Sequence, residues 1–241
     1  MLAVKDLSIS YDGRTNVVEN VSFQIEKPSI VGILGPNGAG KSTLIKGILR
    51  LIPSSGETYY NGTMLKNVQR KVAYVEQKSA IDYTFPITVR ECVSLGLYPS
   101  GKLFKRITAQ DWKRVEDALK KVHMHEYQNK QIGALSGGQF QRVLIARTLV
   151  QEADLVFLDE PFVGIDTVSE KIIMDLLVEF RNQGKTILIV HHDLGKVKEY
   201  FDQLILMNKQ LIAYGDTKKV FVEDNLIKTY GDSIVVKGGE G

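Results

Sequence analysis

The stretch Gly35-Pro36-Asn37-Gly38-Ala39-Gly40-Lys41-Ser42-Thr43 matches G-x-x-x-x-G-K-[ST] at every fixed position. Glycines let the backbone take positive φ and turn successive N–H groups inward, so the loop can cradle the β-phosphate of a nucleoside triphosphate with no side chain in the way. Lys41 would reach the β- and γ-oxygens and Ser42 would offer a hydroxyl to Mg²⁺, at the positive end of the helix that starts here. Further along, Asp159-Glu160-Pro161 follows an apolar run, and ligands of open α/β sheets gather at the carboxyl ends of parallel strands. There Asp159 is placed to hold Mg²⁺ through its water shell, and Glu160 to orient and deprotonate the water that attacks a γ-phosphate. The plainer reading of this pair is two solvated acids at a strand end.

A third constellation is Leu135-Ser136-Gly137-Gly138-Gln139. S-x-x-Q is a capping box, which gives Ser136 and Gln139 a structural role. It does not account for Gly137 and Gly138, which weaken a first helical turn yet bare N–H groups at its positive end, a second phosphate site in one chain. One nucleotide does not easily reach both loops within a single molecule. Two copies meeting head to tail would close each such loop over the other's γ-phosphate.

These residues need a scaffold, and the hydrophobic pattern supplies one. Ile30 to Leu34 reads as a buried strand before the loop, and Leu44, Ile45, Ile48 and Leu49 share one helix face after it. Leu2 to Ser10 and Val18 to Ile25 alternate like half-buried strands joined at Asp12-Gly13, which predicts an antiparallel patch. Tyr11 lies just past the first of them, suited to stacking on an adenine ring or to a place at the sheet edge. Pro53-Ser54-Ser55-Gly56 breaks the chain. Glu57 to Tyr60 and Val72 to Val75 read as strands with an Asn61-Gly62 turn between, and Gln77 follows directly.

From Ser79 to Val150 the pattern turns helical, with Thr108 as a cap and Trp112, Val115, Leu119 and Val122 on one face. The loop from Tyr98 to Arg106, with Lys102, Lys105 and Arg106, reads as a solvated basic face. Leu155 to Leu158 and Thr186 to Val190 are continuous apolar runs, as in strands buried on both faces, with a helix from Thr167 to Arg181 between them. Strand, helix, strand is a crossover unit, so the fold class is α/β. Its expected form is a mixed, mainly parallel sheet with an N-terminal antiparallel β patch and an inserted helical subdomain. The divisions expected are a core at about 1–78 and 151–231, a helical part at about 79–150, and a tail at 232–241.

Bulk properties narrow the classes. Lys and Arg number 31 against 28 Asp and Glu, so charge names no nucleic-acid partner. Cys92 is the sole cysteine, which excludes an intramolecular disulfide and fits a reducing cytosol. No apolar run approaches the ~20 residues that span a bilayer, and Met1 to Asp6 lacks the apolar stretch of a signal peptide. His123 and His125, two apart on a predicted helix, diverge and make a poor metal pair.

Taken together in this order, the motifs from Tyr11 to about Gly231 resemble the ATP-binding subunit of an ATP-binding-cassette (ABC) transporter, whose core is the P-loop NTPase fold. The resemblance implies an adenine stack at Tyr11, ATP on Gly35 to Thr43, a Mg²⁺ and coupling glutamine at Gln77, and a signature at Leu135 to Gln139 that contacts ATP in trans. It further implies a magnesium aspartate at Asp159, catalysis by Glu160 with Lys41, a dimer-contact loop ending at Asp166, and a switch histidine. His191 and His192 compete for that last role. The family's His-Asp pairing favours His192, beside Asp193, as the group that senses the γ-phosphate.

Within the family, the run Asp82 to Val89, the fuller signature Leu135 to Val143 and the ending Glu223 to Leu226 with Thr229-Tyr230-Gly231 are similar to the manganese/zinc/iron importers. Lys27-Pro28-Ser29 and Val163-Gly164-Ile165-Asp166 depart from common family forms, away from catalytic positions. The partners implied are a second copy, an integral membrane permease and, indirectly, an extracytoplasmic metal-binding protein. The cofactors are ATP and Mg²⁺, and the place is the cytoplasmic face of the membrane.

Alternatives are an importer ATPase for another cargo such as an iron-siderophore, or a soluble ABC ATPase acting on nucleic acid or the ribosome. Against the latter stands the lack of a coiled coil, a second cassette or a basic stripe, so no nucleic acid is expected. A phosphate-loop kinase would leave the signature unexplained.

Overall fold

A computed structural model of the chain describes residues 1–78, 82, 85–98 and 107–231. These form two compact units, the described residues of 1–68 with 188–231 and those of 69–187. The basic residues Lys102, Lys105 and Arg106, Tyr83 and Thr84 of the Asp82 to Val89 run, and the tail lie outside the described residues.

In the first unit, β1 (Leu2–Ser10) and β2 (Asn16–Ile25) form the expected hairpin, with Leu2 opposite Ile25 and Val4 opposite Phe23. Asp12 holds the turn by accepting from the backbone N–H groups of Arg14 (2.8 Å) and Thr15 (2.9 Å) and from Ser10 Oγ (2.9 Å). β4 (Ser54–Tyr60) pairs antiparallel with β1 on its other edge, and β5 (Thr63–Met64) closes the order β2-β1-β4-β5. The predicted break at Ser54 to Gly56 is instead the start of β4. Arg50 donates to the Ser54 and Gly56 carbonyls, both at 2.5 Å, and Gly56 takes φ +84 against the Lys5 and Asp6 carbonyls, so a glycine that reads as a breaker serves a strand passing close to its neighbour. Asn61 (φ 48) and Gly62 (φ 78) make the β4–β5 turn as read.

A second sheet in this unit has the order β10-β9-β3-β8, from β3 (Ile30–Leu34), β8 (Thr186–Val190), β9 (Gln203–Asn208) and β10 (Gln210–Asp216). β3 and β9 are parallel, with Val31 beside Gln203 and Leu34 beside Leu206, whereas β9 and β10 are antiparallel, so the sheet is mixed. Every residue of β3 is buried, as its unbroken apolar run requires. Helix α1 (Lys41–Ile48) follows the phosphate loop and packs on β1, close enough that a Cβ at Gly47 would lie 2.2 Å from Ile9 Cδ1. The short helices α6 (Val197–Tyr200) and α7 (Thr217–Val220) and the longer α8 (Glu223–Tyr230) complete the unit.

The second unit contains β6 (Val72–Val75) and β7 (Leu155–Asp159), parallel with Val72 beside Leu155 and Val75 beside Leu158. Its helices are α2 (Val89–Ser94), α3 (Ala109–Lys121), α4 (Gly137–Gln151) and α5 (Thr167–Asn182). Thr88, Thr108 and Ser136 each cap a helix through a full capping box, and Val115, Leu119 and Val122 of the predicted α3 face are buried. α4 is buried on most sides from Phe140 through Val150, Gln141 and Thr148 included, because it packs against α2, α3 and α5 at once. The expectation of one helix carrying His123 and His125 is corrected. α3 ends at Lys121, His123 takes φ 54, and His125 opens a short 3₁₀ turn.

Candidate functional site

The phosphate loop leaves β3 and enters α1 through Gly38 at φ 79 and Gly40 at φ 90, left-handed positions that a glycine takes without steric cost. Gly40 is the residue before the helix and caps it with no side chain, which leaves the positive helix end to the loop. Lys41 is buried, and its Nζ donates to the carbonyls of Gly35 (2.8 Å) and Pro36 (3.0 Å), folded along the loop it belongs to. Tyr11 is 59% exposed, and its hydroxyl lies 3.1 Å from Thr43 Oγ1. The ring is therefore held beside the loop with its face open.

At the end of β7, Asp159 is 3% exposed, in contrast to the solvated acid of the plainer reading. Glu160 follows it with φ 51, a left-handed conformation that costs a non-glycine residue about 1–2 kcal/mol. Pro161 next in sequence disfavours the right-handed helical region for Glu160. The bend presents the carboxylate to Gln77, whose Nε2 donates to Glu160 Oε2 at 2.8 Å. Gln77 and Glu160 are 83 residues apart, and no sequence signal announces their contact.

The signature residues open α4. Ser136 Oγ accepts from Gln139 N and Gln139 Oε1 accepts from Ser136 N at 3.0 Å, so the capping box is real. The two glycines have a packing reason as well. A Cβ on Gly138 would lie 2.5 Å from Ser169 Oγ and 2.7 Å from Asp166 Oδ2, and one on Gly137 would lie 2.4 Å from Lys78 Nζ and 3.0 Å from the Gly164 carbonyl. Asp166 caps α5, accepting from Ser169 N and Ser169 Oγ at 2.8 Å each, and the Ser169 N–H with the Ser169 hydroxyl and the Arg142 charge holds its carboxyl below the usual range. Signature and Asp166 loop are thus built against each other within the second unit.

Of the two histidines, His191 is 3% exposed among aromatic rings, with Phe201 at 5.4 Å and Tyr200 at 6.1 Å between centroids, and its N–H bonds the Ile33 carbonyl. His192 is exposed, and Asp193 beside it caps the following turn through Gly195 N. The two adjacent imidazoles are thus placed differently, His191 packed among rings and His192 open to solvent. Within the second unit, the Asp159 carboxylate and the Gln77 amide oxygen are hard oxygen donors, and a buried carboxylate is chemistry that suits Mg²⁺.

The ABC transporter family pattern matches residues 18–163, which run from β2 past Glu160. The chain belongs to the ABC transporter family. This ABC ATPase is 49% identical over 230 residues to a manganese transport system ATP-binding protein of Halalkalibacterium halodurans, covering 95% of this chain and 92% of that one. It is 44% identical over 232 residues to a zinc transport system ATP-binding protein of Treponema pallidum, covering 96% and 87%. Among solved structures it resembles the dimeric post-hydrolysis state of an ATP-binding cassette bound to ADP and Pi. The TM-score is 0.78 at 27% identity, over 90% of this chain and 98% of that one. The α/β architecture is accordingly the P-loop ABC ATPase fold, and the protein binds and hydrolyses ATP. No described helix is long and apolar enough to cross a membrane.

Proposed function

We propose that this ABC ATPase powers a membrane importer for a transition-metal ion such as manganese or zinc. Two copies would close head to tail on two ATP molecules and reopen after hydrolysis. The observation that carries the hydrolytic part is the Gln77–Glu160 contact at the end of β7. It holds a carboxylate in a left-handed bend next to a buried aspartate, an arrangement suited to a base acting on water. The cargo is supported by the relatives named for manganese and zinc transport, and import by the motif resemblance alone.

In this reading Tyr11 stacks on adenine, and the amides from Gly35 to Thr43 cradle the phosphates. Lys41 leaves its loop carbonyls for the β- and γ-oxygens. Ser42, Gln77 and Asp159 hold Mg²⁺, which when bound offsets charge on the phosphate oxygens. Glu160 takes a proton from the attacking water, and His192 bonds the γ-phosphate from the other side. Ser136, Gly137, Gly138 and Gln139 of the second copy complete the site, and Asp166 lines the dimer contact.

Closure and reopening would be passed to a permease through the segment Ser79 to Leu97, in whose described part Phe85 and Leu95 are 58% and 53% exposed. The segment belongs to the helical part at about 79–150, inserted into a core at about 1–78 and 151–231. The chain would then sit on the cytoplasmic face of the membrane. An extracytoplasmic metal-binding protein would deliver the ion.

The test is reconstitution with the permease in vesicles. ATP-dependent uptake of Mn²⁺ or Zn²⁺, lost with Glu160→Gln, is the expected result. ATPase activity stimulated by DNA or ribosomes but not by the permease would overturn the reading.

A further inference from the structure

The phosphate loop is framed from outside by the last quarter of the chain. Gly35 has no room for a side chain, since a Cβ there would lie 2.1 Å from the Met207 carbonyl oxygen in β9. Lys209, in the β9–β10 turn, donates its N–H to the Ala39 carbonyl at 2.9 Å. Helix α8 adds a third support. Asn208 Nδ2 donates to the Thr229 carbonyl at 3.3 Å, Thr229 Oγ1 donates to the Asn225 carbonyl at 2.6 Å, and Leu226 and Thr229 are buried.

The last residue of α8 is Tyr230. Its hydroxyl oxygen is buried and faces the Gly35 backbone amide, yet no hydrogen bond of good geometry is completed there or with any other described residue. Burial pushes the phenol up to about 12, so it is a neutral hydroxyl over the whole working range of pH. On the other side of Gly35, the carbonyl accepts from Lys41 Nζ. The ammonium cannot serve the Gly35 and Pro36 carbonyls and the phosphate oxygens at once. When the β- and γ-oxygens of a nucleotide take two of the three Lys41 donors, at least one of the two loop carbonyls loses its tether, and the Tyr230 hydroxyl is a buried polar group beside it.

We infer that Tyr230 is a positioning residue for nucleotide binding, whose hydroxyl takes up the Gly35 amide and keeps the loop in register once Lys41 has moved onto the phosphates. The inference rests on the reading of Gly35 to Thr43 as the ATP loop. It also gives a role to the Thr229-Tyr230-Gly231 ending, which otherwise lies far in sequence from every chemical group.

Tyr230→Phe in the full chain removes only the hydroxyl. A fluorescent ATP analogue titration with Mg²⁺ should show affinity weakened about fivefold, the size of one net hydrogen bond. KM for ATP should rise in step, with kcat within about twofold and Tm without nucleotide equal to or above that of the parent. Unchanged affinity, or a fall in Tm that accompanies the loss, would overturn the inference. Lys41→Ala in the same titration separates the two readings. If it binds as tightly as the parent, the loop itself is misread, whereas normal binding by Tyr230→Phe alone removes only the role of Tyr230.

Discussion

Glu160→Gln isolates the proton-accepting function of the carboxylate from its shape. The side-chain amide can turn its oxygen to Gln77 Nε2, so the 2.8 Å contact and the φ 51 bend persist. What changes is that a charge-assisted hydrogen bond becomes a neutral one, a loss of about 1 kcal/mol. For a chain of this length that is about 2–4 °C in Tm. Basicity is lost almost entirely, and general-base catalysis is worth about 10²–10⁴ in rate, or about 3–5 kcal/mol on the barrier. ATP affinity should hardly move, because no phosphate-loop group is touched. The assay is paired: steady-state phosphate release, and light scattering of the purified protein with Mg-ATP. Hydrolysis should fall by at least 100-fold while a dimer accumulates that the parent forms only transiently. Turnover within tenfold of the parent would refute the assignment, and loss of ATP binding would show that the Gln77–Glu160 contact shapes the loop rather than the reaction.

Other substitutions probe the remaining parts. Gly138→Ala places a methyl between Ser169 Oγ and Asp166 Oδ2, at 2.5 and 2.7 Å. Overpacking and a lost cap should together cost about 2 kcal/mol, or about 4–8 °C in Tm by calorimetry, with ATP-driven dimerisation abolished; an unchanged Tm would contradict the packing account. Tyr11→Ala should weaken ATP by about 1–3 kcal/mol and leave binding of inorganic triphosphate intact, while Tyr11→Phe keeps the affinity. A sheet-edge tyrosine would affect both ligands alike. Asp12 is held down to about 2 by the Thr15 and Arg14 N–H groups and Ser10, below its ordinary 3.8. A depressed carboxyl contributes stability above its unfolded value that is lost as pH falls through the folded one. Acid unfolding of the parent should therefore steepen between about pH 4 and 2 relative to Asp12→Asn, and identical profiles would refute it.

Much of the molecule is legible in its sequence because the signals are local. Gly38 and Gly40 announce left-handed turns, the unbroken apolar runs at 30–34 and 155–158 announce buried strands, and Thr108 with Asp111 announces a cap, each within a few residues. The sequence puts His123 and His125 on one helix because periodicity does not mark where a helix stops, here at Lys121. Ser54 to Gly56 read as a break because a strand that passes tightly over another backbone needs the same small residues as a turn.

What tertiary structure alone decides lies in contacts between distant segments. The hydrogen bond from Gln77 to Glu160, the tether of Tyr11 to Thr43, and the fit of Gly138 over Asp166 and Ser169 join residues tens of positions apart. Sequence by itself named the loop that can hold a triphosphate, because backbone freedom and helix ends are properties of neighbouring residues. Packing decided which side chains face one another across the fold, because burial and hydrogen-bond geometry depend on where the chain returns.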